Sequence, residues 1–438
     1  MHTEPRLQFW RTLASAVAAE KRLGWQHQGQ RTLKPVAASC IDPGGPEALR
    51  AQMPALANKT YFNYGGQGPL PNGSLAAITE TWGTLQQLGP FTTAAWPTIA
   101  AITSRLRQRL AHWCGVSPDR LALTENVTSG CVLPLWGLPW QAGDELLISD
   151  CEHPGVVAAC RELARRQGLS VATLPVQTLS RRHRGADLEQ ALLRSLEQSL
   201  TPRTRLLVLS HLLWNTGRLL PLVAVAERLR AHPRHPWLLV DAAQSMGSVP
   251  VAASAACADI YAFTGHKWCC GPEGLGGVVL SERLLAEAEP TLIGWRSLGD
   301  EGRAESGWHR DGRRFEVATS CLPLQAGLDH SLQLLEALGS AEARLAQIQA
   351  SSGVLWRGLQ HLSGVETLLE AAPEAGLVSF TFAGQQPEAV VRALGDQGLW
   401  IRSLDDPGCL RACVHVTTTS DEIECLLAAL AAMARQGC

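Results

Sequence analysis

Four short runs in this 438-residue chain set polar or ionisable residues directly after apolar, strand-like stretches. In LLVDAAQS, Asp241 closes one such stretch and Gln244 follows three positions on. A carboxylate buried there needs a cationic partner, because an isolated buried charge is very costly; the ordinary alternative is capping of the next helix. In YAFTGHKWCCGPEGLGG, residues 261–277, Lys267 lies between an apolar strand and a glycine-rich segment. A desolvated amine in such surroundings has a lowered pKa and can form a Schiff base. Thr264 and His266 flank it with donors suited to a phosphate, while Gly271, Gly274, Gly276 and Gly277 read as turn and close-packing residues. In ENVTSG, Thr128, Ser129 and the adjacent backbone N–H groups open a predicted helix, a place for a phosphate or for simple capping. In SDCEHPGV, His153 follows a strand, where it can stack on a planar ring or merely pack.

Taken together, a carboxylate able to hold a pyridinium, a lysine able to form a Schiff base and donors for a phosphate point to pyridoxal 5'-phosphate (PLP), whose protonated ring is an electron sink. In open α/β sheets such ligands sit at the carboxyl ends of the strands.

The elements that must position these residues follow from the apolar pattern. From Arg120 onward, short apolar strands (Leu121 to Thr124, Glu145 to Ser149, Arg205 to Ser210, Leu238 to Asp241) alternate with helical stretches. The fold class expected is α/β, a mainly parallel sheet with helices on both faces and a smaller α+β C-terminal domain. Long helices are expected from Pro323 to Leu362, then a strand over Leu377 to Phe382, a helix over Glu388 to Gly395 and a closing helix from Asp421. The expected division is an N-terminal extension over 1–52, a large domain over 53–320 whose first segment packs on the small domain, and the small domain over 321–438. The extension is basic (Arg6, Arg11, Lys21, Arg22, Arg31, Lys34), but Glu4, Glu20 and Glu47 argue against a targeting arm. It reads as a poorly ordered extension, or as an upstream start with the original one at Met53.

Hydrophobic residues make up 46% of the chain and charged ones 18%, and the formal net charge is -2, so no field steers it to nucleic acid or an anionic membrane. No apolar run is long enough for a membrane span. A cytoplasmic protein acting on a small molecule is expected. Thirteen cysteines at irregular spacing suggest reduced thiols rather than a disulfide framework. The adjacent Cys269 and Cys270 read as packing residues, since no partner pair has zinc-ligand spacing. No metal is expected.

The ordered runs resemble the class V aminotransferase family of fold-type I PLP enzymes, from about Tyr61 to the C-terminus, which implies a large domain with a mainly parallel seven-stranded sheet. YFNYGGQGPLP (61–71), LSHLLWNTGRLLPL (209–222), FTGHKW (263–268) and GRRFEVATS (312–320) are similar to the L-cysteine/cystine C-S lyase branch, related to the cysteine desulfurases of sulfur metabolism and iron-sulfur cluster assembly. The resemblance implies that Lys267 is the Schiff-base lysine, Asp241 the partner of the ring nitrogen, Gln244 the donor to the ring oxygen and His153 the stacking residue. It places Thr128, Ser129, Thr264 and His266 at the phosphate and Asn215 at the cofactor rim, with Thr319 reaching the phosphate of a neighbouring subunit in a homodimer. Gly65, Arg402 and Arg411 would bind substrate; arginine suits a carboxylate because its planar fork binds in bidentate fashion. Two arginines suit cystine, which has two amino-acid ends, although one could instead tie the loop to the domain body.

The expected reaction is β-elimination of sulfur from cystine or cysteine to pyruvate, ammonia and persulfide or sulfide. The loop IRSLDDPGCLRAC is short and lacks a desulfurase-type arginine, glycine, double-histidine, cysteine run; Cys409 is the cysteine beside it. A desulfurase yielding alanine, another family member such as an aminotransferase or epimerase, and a PLP-fold protein kept for binding or assembly are the competing readings.

Overall fold

The computed structural model describes residues 44–436, and the expectations placed on residues 1–43 lie outside the described residues. In chain order the strands are β1 (Thr60–Tyr61), β2 (Leu121–Thr124), β3 (Glu145–Ser149), β4 (Ser170–Leu174), β5 (Thr204–Ser210), β6 (Trp237–Asp241), β7 (Ile260–Thr264), β8 (Gly276–Leu280), β9 (Val365–Thr367), β10 (Leu377–Phe382), β11 (Leu399–Trp400), β12 (Arg402–Leu404) and β13 (Cys409–Cys413).

Seven of them form one sheet in the order β2-β8-β7-β6-β5-β3-β4. The run from β7 to β4 is parallel, and β8 is antiparallel to both of its neighbours. β3, β6 and β7 are buried along their whole length. Continuous apolar strands of this kind belong in a parallel sheet covered on both faces. β4, at the edge, instead alternates between half-buried and exposed positions until Leu174. On one face, Leu146, Ile148, Leu206, Val208 and Leu239 share a core with Val156 and Leu163 of the helix Pro154–Gln167. Burying each such side chain contributes about 1.5–3 kcal/mol. The close pairing of β8 with β7 depends on Gly276, which opens β8 opposite Thr264 and where a Cβ would collide with the Phe263 carbonyl.

The C-terminal part holds an antiparallel sheet in the order β12-β13-β10-β9. Phe380, Val390, Leu394, Leu410, Ile423 and Leu426 form its core together with Leu355 and Leu359 of the helix Ala341–Gln360. The preceding helix, Leu322–Ala337, is joined to the helix Trp96–Trp113: Arg109 pairs with Asp329 at 2.7 Å and with Glu336, and Trp113 donates to Glu336 at 2.6 Å.

Ordered structure begins before Met53. The helix Pro46–Ala51 falls inside the stretch expected to be an extension, yet Leu49 is buried and Arg50 makes a bidentate pair with Glu422, 2.9 Å on each arm. Arg50 also donates to the carbonyls of Thr417 and Leu56. β1 then pairs in parallel with β11, Thr60 with Leu399 and Tyr61 with Trp400, and Asn63 bridges to Cys413. Among the described residues no helix is long and apolar enough to cross a membrane.

Candidate functional site

The direction of winding reverses between β3 and β5: from β3 the chain moves outward to β4, and from β5 it moves the other way to β6 and β7. Ligands of open α/β sheets bind outside the carboxyl ends of the strands at such a point. Here β3 leads to Glu152 and His153, β5 to His211–Asn215, β6 ends in Asp241, and β7 leads to His266 and Lys267. The register sets Ser210 beside Asp241 and Asp241 beside Ala262.

Asp241 is buried, and its Oδ1 accepts the Ala243 N–H at 2.9 Å. This is the local capping contact expected of an Asp, but it occupies one oxygen only. Among the described residues Oδ2 accepts no hydrogen bond, so a cationic N–H donor can be accommodated there. Lys267 is half-buried, and burial lowers its pKa to about 8; the Asp241 carboxylate opposes that shift, while the Arg411 and Arg402 guanidiniums reinforce it. His153 caps the helix Pro154–Gln167, its Nδ1 accepting the Gly155 N–H at 3.2 Å, and its ring meets Trp214 edge-on at 5.9 Å. Its pKa is lowered by desolvation first, then by Lys267 and Arg402 against the pull of Asp241, so these four residues share one electrostatic neighbourhood.

Gln244 is held at both ends: Nε2 donates to the Gly65 carbonyl at 2.9 Å and Oε1 accepts the Trp268 indole N–H at 2.9 Å. Gly65 is required by close approach. A Cβ there would stand 2.8 Å from Gln244 Oε1, 2.9 Å from Arg411 Nη2 and 2.9 Å from Cys413 Sγ. Arg402 and Arg411, expected around a loop, are opposed residues of the β12–β13 hairpin. Arg411 is 1% exposed; Nη1 donates to the Trp214 carbonyl at 2.8 Å, whereas Nε and Nη2 are buried without a partner among the described residues. Buried guanidinium nitrogens left open in this way call for an anion. Arg402 is exposed.

Among the phosphate candidates, Thr264 Oγ1 lies 2.7 Å from His266 Nδ1 and also 3.4 Å from the Leu275 carbonyl. Burial lowers the pKa of His266, with Lys267 adding to the effect. Thr128 and Ser129 stand in the first turn of the helix Val127–Trp136, whose cap is Asn126, its Oδ1 accepting the Ser129 N–H at 2.9 Å. Asn215 is buried and accepts the Thr216 N–H at 2.8 Å. Thr319 is exposed, and no hydrogen bond joins it to the Lys267 cluster. Cys269 and Cys270 are buried, and no metal-holding group of residues exists among the described ones. Cys409 is buried in β13, and burial pushes its thiol up to about 11.

Two residues escaped the sequence reading. Glu152 is buried, accepting Ser149 Oγ at 2.5 Å, the Ser210 N–H at 2.8 Å and Ser210 Oγ at 2.8 Å, and burial, with Asp241 nearby, raises its pKa to about 7. Cys413 shares a face of β13 with Arg411, a placement that the two-residue period of a strand could have suggested.

A family described as Aminotransferase class-V matches residues 92–429. A probable cysteine desulfurase of Pseudomonas aeruginosa is 31% identical over 339 residues, covering 74% of this chain and 80% of the relative. An isopenicillin N epimerase of Amycolatopsis lactamdurans is 30% identical over 406 residues, covering 85% and 94%. Among solved structures, the cystine C-S lyase C-DES in complex with its reaction product cysteine persulfide superposes with a TM-score of 0.82 at 46% identity, covering 87% of this chain and 99% of that one. A variant of C-DES with glycine covalently linked to the PLP cofactor gives the same TM-score at 45% identity, covering 87% and 98%.

Proposed function

The chain belongs to the class V aminotransferase family, and on that premise we propose that it is a carbon–sulfur lyase eliminating the β-sulfur of cystine or cysteine to give pyruvate, ammonia and a persulfide or sulfide. It is a PLP-dependent enzyme of fold-type I whose relatives include cysteine desulfurases and a cystine C-S lyase.

The residues present fit the cofactor: the open Oδ2 of Asp241 suits a protonated ring nitrogen, Lys267 suits its carbonyl, and the Thr264–His266 pair with the first turn at Thr128 and Ser129 suits a phosphate. Gln244 and Asn215 complete the set around the ring, with His153 over its face. When bound, PLP draws electrons away from the substrate Cα and so eases loss of the Cα proton and then of the β-sulfur. Lys267 Nζ takes that proton; an amine whose pKa is brought down to about 8 is close to the operating range of a general base. Asp241 keeps the ring-side cation neutralised throughout. Arg411 Nε and Nη2 bind the α-carboxylate in a fork, Gly65 leaves room for it, and exposed Arg402 meets the second amino-acid end of cystine. The exposure of Thr319, which makes no hydrogen bond to this cluster, favours a homodimer in which it serves the neighbouring subunit.

The observation that carries the lyase reading over a desulfurase is the hairpin itself. Only Asp405–Gly408 separate β12 from β13, and Cys409 is buried within β13 with a raised pKa. A segment that short cannot swing a nucleophilic thiol to the substrate sulfur. Incubation of the PLP-loaded protein with cystine is expected to release pyruvate and ammonia in equal amounts; alanine with little pyruvate would move the assignment to a desulfurase.

A further inference from the structure

We propose that Glu152 is a positioning residue for the cofactor: standing behind Asp241, its carboxylate supplies a second negative charge that strengthens the hold on the protonated ring nitrogen. The inference rests on the assignment of Asp241 to that nitrogen.

Three observations support it. Glu152 is 6% exposed and pairs with no cation among the described residues; its donors are Ser149 Oγ, the Ser210 N–H and Ser210 Oγ. A glutamine amide would meet the same three atoms, its oxygen accepting the first two and its nitrogen donating to Ser210 Oγ. Joining β3 to β5 therefore requires no charge, and a buried carboxylate is costly where a neutral amide would serve. Next, Ser210 is the register partner of Asp241 in the β5–β6 pairing, and the His211 N–H donates to the Asp241 carbonyl at 3.0 Å. Registered neighbours turn their side chains to one face of a sheet, so the hydroxyl that holds Glu152 lies on the face of Asp241. Finally, both carboxylates act on the Cys131 thiol of the helix Val127–Trp136, whose pKa is raised first by burial and then by Asp241, Cys160 and Glu152.

Facing Glu152 are Asp241 from β6 and the thiols of Cys131, Cys151 and Cys160, all three raised by burial and so uncharged. Asp241 is thus the charged neighbour through which Glu152 acts. Burial, with the like charge of Asp241, holds the Glu152 proton up to about pH 7. A cation on Asp241 offsets that repulsion, so Glu152 releases its proton to solvent as the cofactor is bound, and both carboxylates then face the one cation. Well below its pKa Glu152 is neutral and a glutamine replaces it without loss; above it, the charge contributes to binding.

The test is the dissociation constant of PLP for the full chain, followed by cofactor absorbance at about pH 5.5 and about pH 8.5. Glu152→Gln is expected to weaken binding by about 3- to 10-fold at the higher pH, the effect of one additional buried charge, and by less than about twofold at the lower. A merely structural role would give the same ratio at both. Glu152→Asp, which keeps the charge, is expected to bind more tightly than Glu152→Gln at the higher pH. On loading of the unaltered protein at about pH 6.5, the infrared difference spectrum is expected to show loss of a protonated-carboxyl band, a reading that needs no variant. A Glu152→Gln ratio independent of pH, or persistence of that band, would overturn the proposal. Asp241→Asn tests the premise by itself: weaker binding at both pH values upholds the ring-nitrogen assignment, and unchanged binding would sink that assignment and this role with it.

Discussion

At the carboxyl end of the large sheet, Asp241, Glu152 and Thr264 are buried and hydrogen-bonded to residues at or just beyond the strand ends, Ala243, Ser210 and Leu275, so their positions are set by the same elements that build the core. On the β12–β13 hairpin, Arg402 is exposed, and Arg411, although buried, leaves two nitrogens unbonded. The first region is held in place by the fold, with Asp241 Oδ2 left open, and the second is completed by what it binds. The proposed division of labour follows: the sheet end sets the reaction, and the hairpin selects the substrate.

The sharpest way to break that division is Lys267→Ala. If the sheet end holds the proton-transfer group, pyruvate formation from cystine falls by about a thousandfold and the protein loses the absorbance of the lysine-linked cofactor; activity within about tenfold of the original would put the base elsewhere. Next come the two arginines. Arg411→Ala is expected to lower kcat/KM by roughly 10- to 100-fold, the scale of about 1.5–3 kcal/mol for a hydrogen bond to a charged group. Arg402→Ala should cost only a few fold, as for an exposed charge. Equal effects of the two replacements on steady-state kinetics would erase the distinction between buried and exposed partners.

A separate effect, on stability rather than on catalysis, comes from Glu152. Its pKa rises from about 4.5 to about 7 on folding, so its contribution is fully present below about pH 4.5 and is lost as the pH rises through about 7, on the order of 3 kcal/mol. Glu152→Gln removes that dependence. The Tm of the unaltered protein should therefore fall relative to the variant's between pH 4.5 and 8, and a constant gap would show that Glu152 does not change its proton on folding.

Much of this was legible in the sequence because the informative residues directly follow apolar runs. The bounds of β2, β3 and β10 match the apolar stretches, and Asp241 and Lys267 stand where strands β6 and β7 deliver them. What stayed hidden depends on distant partners. Nothing local announces that Arg50 binds Glu422, 372 positions away, or that the helix Pro46–Ala51 belongs to the fold. The close approach at Gly65 brings together Gln244, Arg411 and Cys413 from separate parts of the chain. Arg402 and Arg411 could be read as neighbours, but which of them is buried is decided by the packing of β13 against β10 and β12.

The stretch from Thr60 to Gly68 belongs to neither region. It is stitched to the hairpin side through the β1–β11 pairing and the Asn63–Cys413 bridge, and to the sheet side through Gln244 on the Gly65 carbonyl and the Gly68 N–H on the His266 carbonyl. Mechanically it is a taut strap a few residues long, fastened at both ends. A rotation of the C-terminal part against the sheet must be taken up at Gly65 and Gly66, so the gap between the arginines and Lys267 is metered by the length of that strap rather than by the softness of the interface.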